Sequence, residues 1–186
     1  MEQTNGATRR SVALLGSYVP RRCGIATFTK DLYDAICGAS SGSTNVSVLA
    51  MEDVPEGYDY PPEVRFQIQA HRRADYLSAA GLLNINNIDV LLVQHEFGIF
   101  GGADGSYLSH LTNRLRMPII TTLHTVLIDP TPGQAKVLLE LAQRSDRFVV
   151  MSHHAADILR RVYEIPAERI AVIPHGIPDV PFVDSA

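Results

Sequence analysis

The sequence predicts an α/β fold built on a mostly parallel sheet, and three observations carry that expectation. Residues 89–105 read DVLLVQHEFGIFGGADG and open with Val90, Leu91, Leu92 and Val93, with no polar alternation. A strand wetted on one face alternates, whereas one covered by helices on both faces does not. Short apolar runs of this kind recur along the chain, separated by helical patterns too long for hairpins, which makes βαβ units. Polar groups and glycines then follow the central run: Gln94, His95 and Glu96, then Gly98, Gly101, Gly102 and Gly105. Open α/β sheets bind ligands beyond the carboxyl ends of their strands. With right-handed crossovers the layer is doubly wound and Rossmann-like.

Each element follows in turn. Residues 1–10 read as a polar, disordered leader, and residues 11–15 (SVALL) as a short strand ending at Gly16. Residues 17–24 (SYVPRRCG) make a loop, and from Ile25 a helix begins, its buried stripe formed by Ile25, Phe28, Leu32 and Ile36. Residues 46–51 and 64–68 are strand candidates around an acidic, proline-containing loop, and residues 76–83 a helix before the central strand. After the glycines, residues 107–115 read as a helix with Leu108, Leu111 and Leu115 on one side. Residues 118–123 (PIITTL) form the next strand and deliver His124 and Thr125. Thr131, Pro132 and Gln134 supply a capping threonine, a proline at the first helical position and a glutamine three residues after the cap. Val137, Leu138 and Leu141 carry that helix's apolar face. Residues 147–151 are a strand, Ser152 caps a helix carrying Ile158, Leu159 and Val162, and residues 170–173 form a last strand before Pro174, His175 and Gly176.

The chain has 186 residues, 46% hydrophobic and 19% charged, enough to bury one core in one domain. A net charge of -4 offers no basic field for nucleic acid or anionic lipid. Cys23 and Cys37 show neither CxxC nor Cys/His spacing, which argues against a disulfide framework or a zinc site. The amino terminus is too polar for a signal peptide, and no apolar run approaches the roughly 20 residues of a membrane helix. A cytoplasmic protein is expected.

The strand ends gather the loop from Arg21 to Gly24, the loop from His95 to Gly105, and His124 on one edge, and the tail brings His175 towards it. A glycine just before a helix lets backbone N–H groups approach a phosphate, and Arg21 and Arg22 add charge. A tight turn with two solvated arginines fits the same residues. Glu96 suits a sugar hydroxyl, a base, or an ion pair with Arg21 or Arg22. His124 suits a substrate hydrogen bond or a backbone carbonyl. Gly101, Gly102 and Gly105 suit a loop that approaches a ligand or moves. The histidines, including His153 and His154 in a helix's first turn, lack HExxH or HxH spacing, so no metal site is expected.

Four stretches, YVPRRCGIATFTKDL, VQHEFGIFGG, TTLHTVL and VIPHGIPDV, resemble, in order and spacing, the amino-terminal half of retaining GT-B glycosyltransferases. The resemblance is to family four, within a bacterial subgroup, and runs from about Ser11 to about Val180. It implies that Gly24 lies in the glycine loop that admits a sugar-nucleotide diphosphate and that His124 lines the donor-sugar pocket as the catalytic candidate. It further implies that Gly24, Arg22 and His175 bind the donor, and that Arg21, His95, Glu96, Gly101 and Gly102 face the acceptor. Such enzymes use no metal or other cofactor and transfer the sugar with retention through an oxocarbenium-like transition state. The expected domain spans residues 11–178, with residues 179–186 starting the hinge to a missing carboxyl-terminal donor domain or partner chain. Without that half the chain is expected to be inactive, since the groups gripping the leaving diphosphate lie there. The expected substrates are a nucleotide sugar and a carbohydrate or other hydroxyl acceptor. A non-catalytic Rossmann-like module binding a sugar, a phosphate or a protein is the alternative. Ile99 and Phe100 are candidates for an exposed apolar wall facing the cleft.

Overall fold

The structure, a computed structural model, describes residues 9–176. Most of the expected leader, and all of the expected hinge at 179–186, lie outside the described residues. The elements in chain order are β1 (Arg10–Gly16), α1 (Gly24–Ser40), β2 (Thr44–Glu52), β3 (Val64–Gln69), α2 (Arg73–Ile85) and β4 (Val90–His95). They continue with α3 (Leu108–Thr112), β5 (Ile119–Leu123), α4 (Pro132–Arg144), β6 (Arg147–Val150), α5 (His153–Val162) and β7 (Ile170–Val172).

The strands make one sheet in the order β3-β2-β1-β4-β5-β6-β7, every neighbour parallel. This is the doubly wound Rossmann-like fold that the unbroken apolar runs predict. Leu15, Leu49, Leu91, Val93 and Phe148 bury one face in the larger core, while Leu14, Val48 and Ala50 bury the other with Tyr18. The winding reverses between β1 and β4, so their carboxyl ends diverge there and leave a crevice.

As the acidic, proline-containing loop predicts, the chain passes from β2 to parallel β3 without a helix; Tyr60 and Val64 pack on the core face that a crossover helix would cover. Two differences from the expected elements have local causes. Helix α3 stops at Thr112, where Arg144 donates to the carbonyls of Thr112 and Leu115, although Leu108, Leu111 and Leu115 are all buried as expected. In α1 the fully buried positions are Ala26 and Thr29, and the stripe of Ile25, Phe28, Leu32 and Ile36 is only half-buried. The capping box of Thr131 and Gln134, with Pro132 at the start, forms as predicted, and Ser152 caps α5.

Candidate functional site

A groove of about 830 Å³ lies at the carboxyl edge of the sheet. One wall is the start of α1 with the loop before it: Arg21, Cys23, Gly24, Ile25, Thr27, Phe28 and Asp31. Glu96, Gly98 and Ile99 come from beyond β4, His124 from the end of β5, and Met151, His175 and Gly176 from beyond β6 and β7. Parallel pairing of β1, β4 and β5 is what brings Gly24, Glu96 and His124 to one edge from stretches far apart in sequence.

The α1 wall is an open helix start. Cys23 is the N-cap, and its sulfur accepts from the N–H of Ala26 at 3.4 Å. A Cβ built on Gly24 meets no atom within 4 Å, so nothing in the fold demands glycine there. Arg21 pairs with Asp53 at 3.2 Å, its side chain only 16% exposed. The pairing partner is therefore Asp53, not Glu96 as the loop composition allowed. Arg22 is exposed and does not line the groove.

The β5 wall centres on His124. Its backbone N–H donates to the carbonyl of His95 at 3.0 Å, continuing the sheet ladder past the strand. The ring hydrogen-bonds Gln94, with Nε2 3.1 Å from Oε1. Phe28 stands edge-on to this ring at 4.8 Å and to His175 at 5.3 Å, joining the two histidines across α1. Phe28 belongs to the groove and not to the core stripe expected of it. Burial lowers the His124 pKa; Glu96 opposes that shift and His175 adds to it.

Gln94 is 0% exposed, and its Nε2 has no partner among the described residues. It sits where it does because residue 16 is glycine: a Cβ there would stand 2.8 Å from Gln94 Cβ. Glu96 caps the turn Phe97–Ile99, accepting from Gly98 N–H at 3.4 Å, and its other oxygen accepts from the Thr125 hydroxyl. Glu96 thus clasps the loop after β4 to the loop after β5. Thr125, Gln94 and Phe28 were given no site role from the sequence; the signal for the first two was adjacency to Glu96 and His124.

Besides Arg22, three expected ligand-facing residues do not line the groove. His95 is fully buried, its ring against Phe97 at 4.9 Å and stacked on Phe100 at 5.8 Å. Successive side chains on a strand point to opposite faces, so Gln94 towards α1 puts His95 on the other side. Burial, then the neighbouring His124, pushes the His95 pKa down to about 4, and neither ring nitrogen has a partner among the described residues. Gly101 is buried, its Cα so close to the Ala70 carbonyl that a Cβ would lie 1.7 Å from the oxygen. Gly102 takes φ +79° beside Ser106 and Tyr107. Ile99 borders the groove at only 6% exposure and Phe100 is core at 4%, so the two make no broad exposed wall. Among the described residues no three His, Cys, Asp or Glu side chains cluster in a way that holds a metal, and His153 and His154 are exposed.

Fold and groove together define a doubly wound parallel α/β domain whose cleft opens at the reversal of strand order, the architecture of a GT-B glycosyltransferase domain. Residues 32–179 match the family model described as Glycosyltransferase Family 4. The chain belongs to that family. No curated protein sequence matches it. A similar solved structure is the apo form of the lipopolysaccharide outer core galactosyltransferase WaaB, at 12% identity and a TM-score of 0.66. The likeness covers 93% of this chain and 48% of that one, so the chain spans about half the length of that structure.

Proposed function

We propose that this chain is the acceptor-side half of a retaining glycosyltransferase that moves a hexose from a nucleotide sugar to a hydroxyl acceptor, without a metal. The observation that carries the reading is the meeting of Gly24, Glu96 and His124 in one groove at the reversal of strand order. The start of α1, capped only by the Cys23 sulfur, suits a diphosphate: it lines the groove, and the free space over Gly24 lets an anion come close to backbone amides. His124 is the catalytic candidate, placed to hydrogen-bond a sugar hydroxyl near the reacting carbon, with His175 beside it across Phe28. Arg21 and Glu96 line the acceptor side. Since the chain matches about half of its structural relative, a second domain is proposed to hold the nucleotide, and residues 179–186 to begin the hinge leading to it. A cytoplasmic site of action accords with a nucleotide-sugar donor, and no helix among the described residues is long and apolar enough to cross a membrane.

The test is sugar transfer by the protein extended through its second domain, screened against a panel of nucleotide sugars. His124→Ala should lower kcat by roughly 100-fold or more while donor affinity, read by calorimetry, changes little. The present chain alone should show donor binding at most and no turnover. Full activity in His124→Ala, or transfer by the isolated chain, overturns the reading. Neither binding nor turnover with any nucleotide sugar would leave a non-catalytic binding module.

A further inference from the structure

We propose that Gln94 is a positioning residue: its buried carboxamide holds His124 as the Nε2–H tautomer, so the ring meets a ligand through the Nδ1 lone pair. A neutral imidazole has one N–H, and which nitrogen carries it is set by the acceptor within reach. Among the described residues that acceptor is Gln94 Oε1, 3.1 Å from Nε2. Glu96, the carboxylate whose charge bears on the ring, accepts from Thr125 with one oxygen and from Gly98 with the other. Gln94 is fully buried, with its Cβ seated in the notch left by Gly16, so the carboxamide lies away from solvent.

The consequence is a specificity rule for the groove. At neutral pH His124 donates to Gln94 through Nε2–H and offers the groove only an acceptor, so the group set against it must carry a proton, such as a hydroxyl. This rests on the sugar-transfer reading for the identity of the ligand, but the ring's protonation does not. The groups bearing on that ring's charge are Gln94 from β4, Glu96 and His95 beside it, and His175 across Phe28.

Long-range proton–nitrogen NMR of the full chain, at mildly alkaline pH and without ligand, reads the tautomer directly; His124→Ala identifies the signals. The expected spectrum has Nε2 pyrrole-like and Nδ1 pyridine-like. Gln94→Met should erase that preference and give a mixture. Gln94→Glu should keep Nε2–H and move the His124 titration upward, because a carboxylate favours the imidazolium. A wild-type ring protonated on Nδ1 overturns the proposal, since the amide would then be turned over with its NH₂ on the ring. An unchanged tautomer in folded Gln94→Met overturns it as well. Should that variant not fold, the wild-type spectrum and Gln94→Glu decide. A failure here leaves sugar transfer standing, and a failed transfer assay leaves the tautomer standing.

Discussion

The loops after β1 and after β4 both bring glycine to the same edge of the sheet, and three glycines of the second loop serve the opposite purpose to Gly24. Gly24 faces empty space, and any residue would fit it sterically. Gly101, Gly102 and Gly105 are tied into the fold, the first by the Ala70 carbonyl and the other two by φ values of +79° and +83°. Asp104, between them, reaches the start of α4, where a Cβ on Gly133 would stand 1.9 Å from its carboxylate oxygen. The later glycines of the richer loop are therefore a structural clasp, whereas Gly98 at its start, with no atom within 4 Å of a built Cβ, borders the groove as Gly24 does. Glycine count does not report nearness to a ligand; the space around each glycine does.

Substitutions can break this contrast. The largest effect is expected for Gly101→Ala, where a methyl must displace backbone: a loss of about 3 kcal/mol or more in denaturant unfolding. A stability within 0.5 kcal/mol of wild type, on the order of a surface change, would remove the clasp reading. The next concerns His95 under the same loop. Its folded pKa of about 4 lies below its ordinary 6.5, so its contribution is whole above 6.5 and is lost as pH falls towards 4. From pH 7 to pH 5 this amounts to roughly 2 kcal/mol, and His95→Phe should flatten that slope in pH-dependent unfolding. The smallest stability effect is expected for Gly24→Ala, within about 1 kcal/mol and favourable in sign, as alanine is the better helix former. In the two-domain protein the same change should weaken nucleotide-sugar binding about tenfold, which sharpens the contrast.

Much of the layer was legible beforehand, because buried parallel strands must be continuously apolar and Val90 to Val93 advertise it. The start of α4 was equally plain, since Thr131, Pro132 and Gln134 act within one turn of helix. The convergence of Gly24, Glu96 and His124 followed from strand direction alone. What escaped depends on contacts between distant residues. Nothing near His95 in sequence says that Phe97 and Phe100 enclose it, because the turn Phe97–Ile99 that folds them back is held by Glu96. Nothing near Gly101 announces Ala70. Phe28 obeyed helical spacing and still faced the groove, since α1 begins at the sheet's edge, where the core has already ended.

The notch at Gly16 links three strands in a way that constrains how relatives of this protein can vary. Residue 16 lies on β1, Gln94 on β4 and His124 just past β5, and the contact between the first pair decides where the second can meet the third. A lineage that enlarges position 16 must give up the Cβ at position 94 or move β1 against β4, and the histidine then loses its tether. These three positions should therefore change together or not at all.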